Sequence, residues 1–173
     1  MRKNFLNNDF GEDIMLKYNK NMMDCLNSIE ISHQDFLDKI IRIWPEFFEI
    51  KGFVLLKKYK DTVEELDEDK ILSVYYDRTG FEASYNEFRI EDYFNWCIGK
   101  PMEGLALAVK LSEIWECKLK RDFPSYKFHI IMGFDGDFTT IRFHKLRDEE
   151  GSWIALDDLD EYKGKSIAVR IVE

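Results

Sequence analysis

Two histidines and an arginine near the end of the chain are the residues best suited to chemistry. Arg142 and His144 lie within FDGDFTTIRFHKLRDEEGSW, residues 134–153, and His129 precedes that stretch. Two imidazoles can act as general acid and general base while an arginine holds a phosphate, so this set predicts a metal-independent nuclease or other hydrolase as one alternative. Arg142 and Lys127 would repel a bound cation, so we expect no metal site here.

The elements that position these residues are the two strands of a hairpin. Asp135-Gly136 lies between two β-rich runs and predicts a two-residue type I′ turn, which needs a positive φ at both central positions. Apolar residues then share one face, as packing against a helix requires. The two histidines become diagonal neighbours about 7–8 Å apart on the other face, a polar strip open to solvent or to a partner. The predicted register pairs Phe134 with Asp137, Met132 with Thr139, Ile130 with Ile141, Phe128 with Phe143, His129 with Arg142, and Lys127 with His144.

The first half of the chain shows several further elements. Apolar spacing predicts an amphipathic helix over 12–29, and Ser32 is placed to cap a second helix that ends at Pro45. The apolar run over 52–60 predicts a strand. Residues 70–88 predict a hairpin whose turn is DRTG, residues 77–80.

The second half is dominated by one helix. It begins at Pro101, ends near Pro124, and carries an apolar stripe with a period of 3.6 residues. We expect its residues 102–122 to pack on the hairpin's sheet, with a short helix before it and a final strand over 166–172. The fold class that these elements predict is α+β, as a single domain over residues 1–173. The stripe consists of Leu105, Ala108, Leu111, Trp115 and Leu119.

Composition excludes several classes of protein. The 173 residues carry a net charge of −9, which argues against nucleic acid and anionic membranes as partners and favours a basic partner. No run reaches the roughly 20 apolar residues that a membrane-spanning helix needs, and the N-terminus is not of the secretory type. Cys25, Cys97 and Cys117 lie far apart, which predicts reduced thiols, a cytoplasmic location, and neither a disulfide framework nor a zinc site.

Two segments concentrate the acidic residues. Residues 61–69 contain six carboxylates, and residues 148–161 contain seven without a lysine or arginine among them. The second segment is like a calcium loop only over residues 157–162, which lack the central glycine of such a loop, and a short helix explains the acids there better. Trp153 lies within it, either as a buried anchor beneath a solvated loop or as an interface hot spot with an acidic rim.

The C-terminal half resembles small bacterial immunity proteins, which are encoded beside secreted polymorphic toxins. The matching features are the helix around Trp115 that runs into Asp122-Phe123-Pro124, the hairpin that ends in Arg142-Phe143-His144, and Trp153 ahead of 158–162 and the final strand. The resemblance implies a cytoplasmic, non-enzymatic protein without a cofactor. It also implies that the protein binds the C-terminal domain of one cognate toxin, often a basic nuclease.

Our first hypothesis is therefore an immunity protein, or antitoxin, that neutralises its toxin by contact. The alternatives are the small hydrolase that uses His129, His144 and Arg142, and a binding module whose partner is not a toxin. On electrostatic grounds we assign partner binding to carboxylates of the two acidic segments together with Trp153. The assigned residues are Glu64, Glu65, Asp67, Glu68, Asp69, Glu149, Glu150, Trp153, Asp157, Asp158 and Asp160.

Overall fold

The computed structural model describes residues 43–57, 67–162 and 166–173. All of them fall within one compact unit that spans residues 38–173. The helix predicted over 12–29, the start of the helix capped by Ser32, and Cys25 lie outside the described residues, as do Glu64 and Glu65. The prediction of a single domain over 1–173 extends beyond these ranges and stays a prediction.

The described residues form the following elements in chain order. Strands β1 (Phe47–Ile50) and β2 (Phe53–Leu56) are followed by helices α1 (Glu68–Tyr75) and α2 (Arg78–Tyr85). Strand β3 (Phe88–Arg89) leads into α3 (Ile90–Tyr93), a 3₁₀ helix (Asn95–Cys97) and the long helix α4 (Pro101–Asp122). Strands β4 (Phe128–Phe134) and β5 (Thr139–Lys145), a second 3₁₀ helix (Leu156–Glu161) and β6 (Ser166–Val172) complete the chain. The predicted α+β class is confirmed.

Helix α4 covers one face of a four-stranded antiparallel sheet. The strand order is β3-β5-β4-β6, and β1 pairs with β2 in a separate two-stranded sheet. The predicted stripe of α4 is confirmed at four of its five residues, since Ala108, Leu111, Trp115 and Leu119 are fully buried and Leu105 is half-buried. The four fully buried residues pack against alternate residues of the strands, namely Phe128, Ile130, Met132, Ile141, Phe143 and Val172. No helix among the described residues has the length and apolar character that a membrane span requires.

The β4–β5 hairpin is confirmed as an element, but its predicted register is wrong. The observed pairs include Phe134 with Thr139, Ile130 with Phe143, and His129 with His144. The turn is therefore centred on Gly136 and Asp137 rather than on Asp135 and Gly136. The predicted type I′ turn needs a positive φ at two residues, and here only Gly136 has one, of 103°. Oδ1 of Asp135 accepts the backbone N–H groups of Asp137 and Phe138 at 3.0 and 2.8 Å, which stabilises the turn in this position. Each partner is displaced by two residues, so every side chain keeps its predicted face.

The hairpin predicted over 70–88 is wrong, and two helices occupy this stretch. Oδ1 of Asp77 accepts the N–H of Gly80 at 2.5 Å and caps α2, so DRTG is a helix start rather than a turn between strands. A side chain at Gly80 would place its Cβ 2.8 Å from the carbonyl oxygen of Tyr75, which explains the glycine. Asp67 caps α1 in the same way through the N–H of Lys70.

Helix α2 joins the two sheets through buried polar side chains. Glu82 accepts the N–H of Val54 in β2 at 2.8 Å and that of Lys145 in β5 at 2.6 Å. Asn86 donates to the carbonyl oxygens of Val54 and Phe143 and accepts the N–H of Leu56. These side chains therefore replace strand-to-strand hydrogen bonds between β2 and β5. The charge of Glu82 is balanced by buried Arg147, at 2.7 Å.

Strand β2, which lies within the strand predicted over 52–60, is placed between two hydrophobic cores. Because both faces of the strand are buried, its apolar residues form a continuous run rather than an alternating pattern. Val54 and Leu56 face the core under α4. Phe53 and Leu55 pack with Ile71 of α1 and Phe81 of α2 in a second, smaller core.

Candidate functional site

His129 and His144 lie on the face of the sheet opposite α4, and both are buried. They are direct cross-strand partners, with ring centroids 5.3 Å apart in an edge-to-face arrangement. The prediction of a polar strip open to solvent is therefore wrong for both histidines. It failed because sequence alternation assigns a residue to a face but does not reveal what covers that face.

The covering segment is the loop that follows β5. Nδ1 of His129 lies 2.9 Å from the hydroxyl oxygen of Ser152. The backbone N–H of Trp153 donates to Nε2 of His144 at 3.3 Å. Since Nε2 accepts, the neutral ring carries its proton on Nδ1, which donates to the carbonyl oxygen of Lys145 at 3.0 Å. The two imidazoles thus hold the loop at Ser152 and Trp153.

Both imidazoles are neutral at pH 7. Burial lowers the pKa of His144 from 6.5 to about 4, and it also lowers the pKa of His129. A neutral imidazole can accept a proton, as a general base must. At His144, however, one ring nitrogen is occupied by Trp153 and the other by Lys145.

Arg142 shares a face of the sheet with the two histidines, and its guanidinium group is engaged by Trp153 and Glu87. It lies opposite Ile131 in the observed register, and its guanidinium group stacks on the ring of Trp153 at 4.7 Å. Nη2 of Arg142 also forms an ion pair with the carboxylate of Glu87. We call Trp153, Arg142 and Glu87 the Trp153 surface. Glu87 was missed from sequence because it follows α2, inside a stretch that was predicted to be a hairpin.

Trp153 is not the buried anchor that one alternative predicted, and its role as an interface hot spot stays a prediction. Its backbone is fixed to His144, yet 40% of the residue is exposed. An aromatic ring that is held in place and partly open to solvent is suited to protein contacts, because little side-chain entropy is lost on binding.

Glu150, which we assigned to partner binding, is used inside the protein instead. Its carboxylate accepts the N–H groups of Arg78 and Thr79 and the hydroxyl of Thr79, at 3.3, 2.8 and 2.7 Å. Burial raises the pKa of Glu150, but the hydrogen bonds from Thr79 and Arg78 outweigh it and bring the pKa below the usual value. Glu150 therefore anchors the loop at the start of α2.

The other carboxylates of the second acidic segment remain on the surface. The predicted short helix is the 3₁₀ helix Leu156–Glu161, which carries three of the assigned acids. Glu149, Asp157, Asp158 and Asp160 are exposed, and so is Asp148. These residues supply negative charge in the segment that contains Trp153.

The described part of the first acidic segment meets the second one at Arg78. The carboxylate of Glu68 forms an ion pair with the Arg78 side chain, while Glu150 accepts the Arg78 backbone N–H. Asp67 is used as the cap of α1, and Asp69 is exposed in its first turn. The two acidic segments are distant in the sequence, but they approach each other at the start of α2.

Metal ligands are not gathered in this region. Within 43–57, 67–162 and 166–173, no three histidine, cysteine, aspartate or glutamate side chains form a group that could hold an ion. Cys97 is buried and Cys117 is exposed, and both are free thiols.

Comparisons with known proteins identify the family. The model of the Uncharacterized protein PM0498 family matches residues 17–172. Uncharacterized protein PM0498 of Pasteurella multocida (strain Pm70) is similar to the chain, with 27% identity over 111 residues. That match covers 61% of this chain and 66% of the relative, so the chain spans just under two thirds of the relative's length. No solved structure matches the chain. The chain belongs to the PM0498 family of uncharacterized proteins.

Proposed function

We propose that this protein is a cytoplasmic bacterial immunity protein that binds a cognate toxin domain and neutralises it by protein–protein contact. The observation that carries the proposal is the Trp153 surface, an exposed tryptophan stacked on a desolvated arginine in a segment rich in surface carboxylates. The resemblance of the C-terminal half to immunity proteins supports the same function.

The composition of the Trp153 surface fits the centre of an interface. Tryptophan and arginine are enriched among the residues that contribute most to binding energy, especially where surrounding groups exclude water. Arg142 is already ordered by Trp153 and Glu87, so binding does not have to fix its long side chain. A preorganised pair of this kind favours slow dissociation.

The surrounding carboxylates fit a basic partner. Asp69, Asp148 and Glu149 are exposed, in two segments that approach each other at Arg78, and the whole chain carries a charge of −9. Complementary charge raises association rates above the neutral range of about 10⁵–10⁶ M⁻¹s⁻¹ and makes them sensitive to salt. In this proposal the carboxylates govern the approach of the toxin and Trp153 governs its release.

Trp153→Ala, with Trp44→Ala as a matched control, tests the proposal. The two tryptophans are 40% and 41% exposed, and each contacts a cation, but Trp44 stacks with Lys118 and Arg121 of α4. The proposal expects a toxin gene beside this one, and the C-terminal domain of that toxin would be purified and its dissociation measured by stopped-flow fluorescence. We expect Trp153→Ala to weaken binding by about 2 kcal/mol or more and Trp44→Ala to have little effect. Equal effects, or none, would remove the Trp153 surface from the interface.

A charge-neutralising pair tests the role of the carboxylates. Asp148→Asn with Glu149→Gln should slow association at low salt and leave dissociation nearly unchanged. The control pair is Glu113→Gln with Glu173→Gln, which removes the same charge from α4 and from the residue after β6. If both pairs slow association equally, only net charge matters and the acidic segment does not mark the site.

The hydrolase alternative is favoured by one observation, the neutral state of two neighbouring histidines. Their hydrogen bonds to Ser152, Trp153 and Lys145 favour a structural role instead. We expect the purified protein to leave RNA, DNA and simple esters uncleaved, with or without divalent metal. Turnover that His129→Ala abolishes would favour the hydrolase over the immunity protein.

A further inference from the structure

A second group of exposed apolar side chains lies outside the segment that contains Trp153. Four large side chains are well exposed, namely Trp96 (49%), Ile98 (63%), Met102 (65%) and Phe138 (41%). Three of them fall within seven residues, at the approach to α4 and in its first turn. We call these four residues the apolar end. Exposed apolar groups in such density mark interaction surfaces more often than isolated ones do.

Side-chain contacts connect the segments that carry these residues at one end of the sheet. A Cβ added to Gly104 of α4 would lie 2.7 Å from Oε1 of Glu91 and 3.5 Å from the hydroxyl oxygen of Thr139. The start of α4 therefore touches the start of β5, beside the turn that carries Phe138. The Arg89 guanidinium group stacks on the Phe138 ring at 3.7 Å, which connects β3 to the same end.

The apolar end is rigidly supported. Both carboxylate oxygens of buried Glu91 accept the N–H of Thr139, at 3.2 Å each. The N–H groups of Cys97 and Lys100 donate to the carbonyl oxygens of Phe94 and Cys97, each at 2.8 Å. These bonds hold the segment between α3 and α4 in place, so its side chains are presented on a fixed frame.

Carboxylates outnumber cations near the apolar end, since Arg89 pairs with Asp92 and Lys100 with Glu103, which leaves Asp135 and Asp137 in excess. Among the described residues, the exposed carboxylates nearby in the chain and the fold are Asp92, Glu103, Asp135 and Asp137, against the cations Arg89 and Lys100. Hydrogen bonds from the backbone N–H groups of Phe138 and Asp137 lower the pKa of Asp135, so it is charged at neutral pH. An identical copy would bring the same negative rim and the same charge of −9, which opposes self-association.

We propose that the apolar end is a second docking surface, made of other residues than the Trp153 surface, and that it binds a basic amphipathic segment of another protein. The four apolar side chains would receive the apolar face of that segment, and the acidic rim would pair with its lysines or arginines. This inference does not depend on the partner of the Trp153 surface being a toxin.

The test uses the full chain and a synthetic amphipathic helix of leucine and lysine as the probe. Backbone amide shifts would be followed by NMR while the peptide is added at low salt. We expect the shifts to concentrate in residues 95–104 and 135–139. Met102→Lys should weaken binding by about tenfold or more, because it places a cation in the site. A peptide with glutamate in place of lysine should not bind.

A matched pair of isoleucines provides the control. Ile98→Thr should weaken binding about threefold or more, whereas Ile171→Thr, at a 53% exposed position of β6, should not change it. Four results would overturn the proposal: equal effects of the two substitutions, shifts spread over all acidic surfaces, equal binding of the glutamate peptide, or a dimer in sedimentation that Met102→Lys dissociates. Ile98→Thr could also lower the melting temperature as much as a core substitution does. That result would mean that the chain itself covers this surface, and it would overturn the proposal as well.

Discussion

Both faces of the four-stranded sheet bury side chains, but they do so in different ways. Under α4, the face consists of apolar side chains such as Phe143 and Ile130 around Trp115. On the other face, His129 and His144 lie beneath a loop and are fixed to it by hydrogen bonds. Apolar packing depends on shape and area, whereas a buried polar face is stable only while each polar atom keeps its partner.

This difference implies that the two faces respond to different perturbations. A substitution that removes buried apolar atoms under α4 should lower the free energy of unfolding at any pH. The histidine face should respond to protonation as well, because an imidazolium cannot accept the N–H of Trp153. The loop that carries Trp153 therefore depends on the neutral state of the histidines, while α4 does not.

The largest effect is expected on the α4 face. Phe143→Ala removes a fully buried ring that packs edge-to-face with Trp115 and Phe47. It should lower the free energy of unfolding by about 3–5 kcal/mol, as measured by urea denaturation. A cost below about 1 kcal/mol would mean that this face is not the main core.

The histidine face should show a pH dependence of nearly the same size. The unfolded chain protonates His144 near pH 6.5 and the folded chain near pH 4, so its contribution is complete above pH 6.5 and is lost as the pH falls towards 4. The loss should amount to about 3 kcal/mol. His144→Phe keeps a planar ring and removes the titration, so the unfolding free energy of the wild-type protein should fall relative to that of the variant by about this amount over this range. A difference that is constant with pH would contradict the neutral, buried state of His144.

A smaller effect is expected where the loop meets His129. Ser152→Ala removes one partly buried hydrogen bond, so it should cost about 1 kcal/mol in chemical denaturation. Ser84→Ala is the control, because Ser84 is exposed on α2. If both substitutions are neutral, the contact between Ser152 and His129 does not hold the loop.

The smallest effect is expected at the uncovered part of the histidine face. Ile171→Thr keeps a β-branched side chain at an exposed position of β6 and should change stability by about 0.5 kcal/mol or less. Val172→Ala, at the next residue but on the α4 face, should cost about 2 kcal/mol. Thermal unfolding of both variants measures the contrast between the faces over adjacent residues.

The elements with a strong local pattern could be predicted from sequence. Helix α4 follows from Pro101 at its first position and from the stripe through Trp115, which need no knowledge of distant residues. The faces of the β4–β5 hairpin were also correct, since alternation has a period of two and the register error was an even number of residues. The turn was displaced because Asp135 acts through its side chain rather than through a positive φ.

The candidate site could be predicted only in part, because it depends on contacts between distant residues. Trp153 and the acidic character of its segment were visible in the sequence. Its support was not, since Arg142, Glu87 and His144 reach it from other elements. Asp77 and Gly80 are compatible with either a turn or a helix start. The helix start is favoured because α2 buries Phe81 in the smaller core. Glu150 looked like a free surface carboxylate because its partners lie some seventy residues earlier.

The hydrogen bonds by which α2 connects β2 to β5 should also protect the protein against aggregation. An open strand edge offers rows of N–H and carbonyl groups that another chain can extend into a shared sheet. Glu82 and Asn86 occupy these groups on both strands with side chains, which cannot propagate a ladder. Loss of these side-chain hydrogen bonds would therefore leave unpaired N–H and carbonyl groups on the edges of both β2 and β5. Aggregation during synthesis, rather than failure to bind a partner, is then the first defect expected of a chain altered at Glu82.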